Sequence, residues 1–439
     1  MALFCLVLAV SGLPGCASAP RAASRALPPP SRVVLENGVR LITQEHRTSD
    51  IVALQLWVGV GGRDEAAAEH GFAHFAEHML FKGTETLGRG FVDREVEAVG
   101  GRTNAGTSYD YTYYYMLLPA ARAARGVEVL ADMAFNARFD ADDFDKERLV
   151  VFEEMRRGED NPRTALYRRL YDLVFQGHEY GHPVLGDRTA LEAATAATLR
   201  AFYKAHYAPQ NLALVVAGPI DREEIRAAAA RHFGRVPASG PARGRPDSLA
   251  SLREERRQTI ARPERQAALG LGWTAPPIGH ADMAAVDLLV HILGGSRSSR
   301  LNQALRERAR LVSSIEARYT ALEGTGILSV TAQLEPADEA RVEAAILTEL
   351  TRIQDDGVTP AELARAITAA ESERVFSRET VEGLALAYGR AELSWSIEED
   401  LEYPTRLRAV TADQVKAAAR RYLAAPRGRL ALVPKTASP

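Results

Sequence analysis

Cysteine is almost absent from this chain of 439 residues: Cys5 and Cys16 are the only two, and both fall within the first 19 residues. With that segment set aside, no disulfide can form and a thiol nucleophile is excluded. A protein of this kind, if exported, draws its stability from core packing alone. A surplus of charge of one sign is lacking too. The formal net charge of −3 leaves no basic footprint, so nucleic acid is not an expected partner. A membrane-spanning run is also missing, since the apolar stretch Met1–Val10 is too short to cross a bilayer.

That short stretch reads instead as an export signal, although the first positive charge is only Arg21. Two cleavage sites compete. Leu13-Pro14-Gly15-Cys16 resembles a bacterial lipobox, with Pro14 an unusual member, and would leave a lipid anchor on Cys16. Ala17-Ser18-Ala19 resembles an ordinary signal-peptidase site, but Pro20 disfavours it. The first is preferred, and the bacterial periplasm is the expected compartment. A buried N-terminal helix is disfavoured because residues 20–31 are a Pro/Ser/Ala/Arg linker.

An apolar content of 46% and a charged content of 25% are those of an ordinary globular protein. The length exceeds what one core usually supports, so two domains are expected. Asn37-Gly38 between Val33–Leu35 and Val39–Thr43 signals a hairpin. A strand over 51–60 follows, then helices over 70–83 and 90–99, and two Thr/Tyr-rich strands across 102–115. Helices are predicted over 120–136, 143–157, 163–175 and 191–206, then a strand over 212–217 and a helix over 221–233. Residues 234–254, with little apolar content and several Gly and Pro, read as the interdomain linker. The order then repeats: strand 266–273, helix 282–293, helix 300–308, two strands across 312–333, several helices and a strand over 429–433. The division is therefore 1–31 signal and linker, 32–233 first domain, 234–254 linker, 255–439 second domain, a duplicated α+β unit.

The most informative stretch is His70-Gly-Phe-Ala-His-Phe-Ala-Glu-His-Met-Leu-Phe-Lys-Gly83. On a helix, His74 and His78 are one turn apart on one face, the spacing at which two imidazoles bind a single ion. Glu77 flanks that face, within reach of a metal-activated water. The order His-x-x-Glu-His is the inverted form of the zinc-protease helix. The bland alternative is a pair of core or surface histidines; the surrounding Phe72, Phe75, Met79, Leu80 and Phe81 favour a partly dry site instead. A catalytic zinc needs a third protein ligand. The helix around 147–156 offers Glu147, Glu153 and Glu154. Glu147 and Glu154 share a face and Glu153 turns away. On geometry alone Glu154 is preferred, and the others stay open, because helix-face acids are most often simply solvated. The second half has no such motif, only His291 on the corresponding helix. His70, His178 and His182 read as loop or packing residues.

These stretches, together with Gly100–Tyr114, Glu147–Met155 and Gly181–Gly186, resemble the pitrilysin/insulinase-type zinc peptidases, and among them the shorter processing-peptidase-like subunits. The resemblance implies one Zn2+ per chain held by His74, His78 and Glu154, which lies 76 residues after His78. It implies Glu77 as general base and Glu147 as an acid that orients the site. It makes Asn104, Ala105, Gly106 and Thr107 an edge strand for an extended peptide substrate. It also implies a clamshell of two homologous α+β domains, with antiparallel-rich sheets backed by helices and the linker as hinge. One departure concerns the second half. Arg306 fits a substrate-binding basic position, but Val312 stands where a Tyr is expected and Tyr319 comes too late. A homologous subunit is therefore an expected partner, most simply a zinc-less one in a heterodimer, with a homodimer as the alternative. A zinc-binding scaffold without catalysis and a zinc hydrolase acting on non-peptide esters or amides are the competing readings.

Overall fold

The computed structural model describes residues 27–239, 243–244 and 252–435. The export signal, both cysteines and residues 240–242 and 245–251 of the expected linker lie outside the described residues.

The first half opens with strands β1 (Ser31–Val34) and β2 (Arg40–Glu45), an antiparallel pair turned at Asn37-Gly38, where Gly38 adopts φ +95°. Next come β3 (Ile51–Val58), helices α1 (Phe72–Leu80) and α2 (Phe91–Glu97), and strands β4 (Arg102–Thr107) and β5 (Thr112–Pro119). Helices α3 (Ala123–Asn136), α4 (Ala141–Asp160) and α5 (Pro162–Val174) follow. The helix predicted over 191–206 is two, α6 (Arg188–Ala193) and α7 (Ala196–His206). Thr195 breaks it: its backbone is extended and its hydroxyl accepts from the Thr198 amide at 3.2 Å, starting a new helix. Strand β6 (Leu212–Gly218) and helix α8 (Arg222–His232) complete this half.

The second half begins with a strand the sequence did not reveal, β7 (Arg256–Arg262), then β8 (Ala267–Ala275), α9 (Met283–Gly294) and a π-helical turn over Asn302–Arg308. Strands β9 (Val312–Ala321) and β10 (Gly326–Leu334) precede five helices: α10 (Glu339–Asp356), α11 (Pro360–Phe376), α12 (Val381–Ser394), α13 (Ile397–Ala409) and α14 (Ala412–Leu423). Strand β11 (Gly428–Pro434) ends it.

The sheets run β1-β2-β6-β3-β5-β4 and β7-β11-β8-β10-β9. Apart from β1 they match strand for strand: β2 and β6 pair in parallel as β7 and β11 do, and the remaining neighbours pair antiparallel in both. The molecule is thus two α+β units of one design.

The units exchange a helix. α5 of the first half lies on β8 and β11 of the second, its Leu166, Leu170 and Val174 reaching a floor left open by Gly270, Gly272 and Gly428. α12 of the second half lies on β3 and β6 of the first, so close that Gly389 faces the fully buried Trp57 ring. Burying 150–250 Å² of such a ring contributes about 4–6 kcal/mol. The turn after β9 is also gripped: Arg63 and Arg243 donate to opposite oxygens of Glu323 at 3.0 and 2.9 Å. The expected hinge at the linker is therefore not free. Parting the halves would strip both exchanged helices from their sheets.

Candidate metal centre

The start of α1 is fixed from three sides. Glu65, fully buried, accepts from the Gly71 and Ala73 amides at 2.8 and 2.7 Å, a carboxylate at a helix N-terminus. Burial pushes Glu65 up to about 8, against the pull of those two N–H groups. The 181–186 loop closes on the same point. Gly71 (φ +100°) and Gly186 (φ +82°) sit where a Cβ would lie 2.8 Å from the Leu185 carbonyl oxygen and 2.2 Å from that of His70. The His70 and His182 rings stack at 3.7 Å; His182 Nε2 lies 3.2 Å from Glu65, and His70 Nδ1 lies 2.6 Å from Asp187. These histidines set the helix in place. His178, the third of them, stacks on Tyr180 at 5.5 Å.

α1 buries Phe72, Phe75, Met79 and Leu80, and Phe75 stacks on Phe144 of α4 at 4.7 Å. That contact aligns the two helices. Nε2 of His74 and of His78 lie 3.6 and 3.5 Å from Oε2 of Glu154, and the three ligand atoms fall within 4.8 Å of one another. Two donors on one tetrahedral zinc stand about 3.3 Å apart, so the set fits the ion with little adjustment. Burial, and then the neighbouring His78, push His74 down to about 3, holding it as the neutral imidazole a metal requires. Its Nδ1 is buried without a hydrogen-bond partner among the described residues. Among those residues no second group of three ligands occurs; in the other half His291 Nε2 has only Glu373, at 3.8 Å.

Glu147 stands behind the ligands. Its Oε2 lies 3.2 Å from His78 Nδ1 and its Oε1 lies 2.6 Å from Lys82 Nζ. It touches the imidazole on the nitrogen turned away from Glu154. Lys82 escaped the sequence reading; its position four residues after His78 was the available signal. Glu153 turns outward and pairs with Arg156.

Glu77, mostly buried on α1, receives a short hydrogen bond on Oε2 from the Thr107 hydroxyl. Burial pushes its carboxyl up and the Thr107 bond pulls the other way. Asn104, Ala105, Gly106 and Thr107 lie in β4, the last strand of the first sheet, paired with Tyr115, Tyr114, Tyr113 and Thr112 and, among the described residues, with no strand on the other side. Arg306 is exposed on the π-helical turn and joins no hydrogen bond or ion pair of the centre.

The profile described as "Insulinase (Peptidase family M16)" matches residues 40–188, and "Peptidase M16 inactive domain" matches residues 193–370. An uncharacterized zinc protease of Mycobacterium tuberculosis is 33% identical over 411 residues, covering 92% of this chain and 93% of that one. An uncharacterized zinc protease of Bacillus subtilis is 31% identical over 392 residues, covering 89% and 94%. A crystal structure of a Helicobacter pylori protease superposes with a TM-score of 0.88 at 24% identity, over 93% of this chain and 100% of that one. At that identity the likeness speaks to fold alone.

Proposed function

Because the chain belongs to the insulinase family of M16 peptidases, we propose that it is a zinc-dependent endopeptidase acting on extended peptides or unfolded segments, with Glu77 as general base. One observation carries this reading. His74, His78 and Glu154 converge from two helices, and a mostly buried carboxylate with no structural duty in binding the ion stands beside them.

Two imidazoles and one carboxylate suit zinc, which when bound supplies Lewis acidity to a water and to the substrate carbonyl. The chain's own groups do the rest. Glu77 accepts the proton of the attacking water and returns it to the departing amine. Glu147, held by Lys82, keeps the Nδ1 proton of His78 and so points its Nε2 at the ion. The unpaired edge of β4 supports backbone pairing with an extended chain and little dependence on its sequence.

The partner belongs to the same proposal. The exchanged helices keep the second half from folding over the centre, and no metal set exists in that half among the described residues. A homologous zinc-less subunit would supply the cover and the missing substrate contacts. The periplasm, with a lipid anchor at Cys16, is the proposed setting.

Glu77→Gln tests the reading. It should keep stoichiometric zinc and lose cleavage of an extended peptide panel. Retained cleavage would overturn the assignment of the base, and unchanged function in cells would favour the scaffold reading. Hydrolysis of small esters but not of peptides would favour the other hydrolase. Full peptidase activity of the purified chain alone would remove the need for a second subunit.

A further inference from the structure

We propose that Thr107 is the positioning residue for Glu77, and that it ties the base to the strand along which a peptide would lie. The inference rests on the peptidase reading above. The Thr107 hydroxyl donates to Glu77 Oε2, and the surroundings leave its proton no better acceptor. The other oxygen nearby is Thr112 Oγ1, at the longer distance of 3.4 Å. Thr112 is itself buried and gives its proton to the Val60 carbonyl at 2.9 Å, so it cannot serve Glu77 in place of Thr107.

The consequence is an asymmetric carboxylate. Oε2 is occupied, and Oε1 is the oxygen left to take a proton from water. Both ends of the bond are held. A threonine on a strand has a stiff χ1, and the helix bearing Glu77 is fixed at its start by Glu65. Thr107 belongs to the edge strand, so a peptide added to that edge would bear on the base through a single hydrogen bond. Substrate docking and base orientation would then be one event, and the signature lies in turnover rather than in binding.

Thr107→Val keeps the shape and removes only the hydroxyl. We expect kcat to fall about 10- to 100-fold, as for loss of a hydrogen bond to a charged group, with KM and zinc content unchanged. Thr107→Ser restores the donor and should recover most of the rate. A crystal structure of Thr107→Val should show the Glu77 carboxyl turned from its wild-type orientation. The proposal falls if Thr107→Val keeps kcat within about twofold of wild type, if Thr107→Ser is no better than Val, or if the carboxyl does not turn. The crystallographic arm decides even where turnover needs a second subunit. Glu77→Gln, assayed in parallel, separates the two readings. Its activity would sink the peptidase mechanism, whereas a dead Glu77→Gln beside a fully active Thr107→Val would sink only the role of Thr107.

Discussion

Lys82→Met keeps the aliphatic stem and deletes the charge 2.6 Å from Glu147 Oε1. At an effective dielectric of 20 that pair attracts by about 6 kcal/mol before desolvation. The Lys82 side chain is 34% exposed and that of Glu147 only 12%, so solvent screening and the desolvation of Glu147 offset most of it. What remains reaches the ion indirectly, through the Glu147 contact with His78 Nδ1 at 3.2 Å. Losing the group behind a ligating imidazole weakens metal affinity 10- to 100-fold, or about 1.4–2.7 kcal/mol. Lys82 is one step further back than Glu147. Lys82→Met should therefore fall near tenfold and Glu147→Ala nearer a hundredfold. Competition against a chromophoric chelator at fixed pH measures both. Because the lysine acts only through Glu147, the double variant should bind zinc no worse than Glu147→Ala alone. Wild-type zinc affinity in Lys82→Met, or additive losses in the double variant, would refute the reasoning.

Gly389→Ala sets two effects against each other. Alanine gains about 1 kcal/mol in helix propensity. Its Cβ, however, would lie 2.0 Å from the Trp57 ring nitrogen, and overpacking a rigid core costs about 1–3 kcal/mol or more. Destabilisation should win, read as a melting temperature lower by a few degrees; a rise would contradict the packing account. Cutting the chain within 245–251 should give halves that do not fold singly but form a one-to-one complex when coexpressed, seen by size exclusion. A cooperative melt from either half alone would contradict this. The third test is acid stability. Arg300 donates to both oxygens of Glu362, at 2.7 and 2.9 Å, and these bonds hold Glu362 down at about 2 against an ordinary 4.5. A depressed carboxylate stabilises the fold above its unfolded pKa and loses that contribution as pH falls from about 4.5 through 2. Glu362→Gln should flatten the acid limb of a denaturation series over that window, and an unchanged limb would contradict it.

What the sequence disclosed, it disclosed through periodicity. His74 and His78 at i and i+4, and Glu154 seven residues after Glu147, are spacings that a helix converts directly into shared faces. Strands such as β3 and β6, buried along nearly their whole length, read as apolar runs, broken in β3 only by Gln55. β7 gave no such run. It is an edge strand of mostly exposed residues, Arg-Arg-Gln-Thr-Ile-Ala-Arg, so alternation had little to act on. The exchange of α5 and α12 was hidden for another reason. A hydrophobic face announces that a helix is covered, not which sheet covers it. Glu65 and Lys82 were hidden because their partners arise from folding: a short turn carries Glu65 back to the start of α1, and α4 brings Glu147 to Lys82. The ligands are read from one helix face at a time, whereas the contacts that aim them join residues of different stretches.

The traded helices have a bearing on how such a chain can change over generations. A unit that carries no metal set of its own would ordinarily be free to drift away or be deleted. Here each unit supplies a wall of its neighbour, so deleting the unit without the metal centre would also uncover the sheet of the one that carries it.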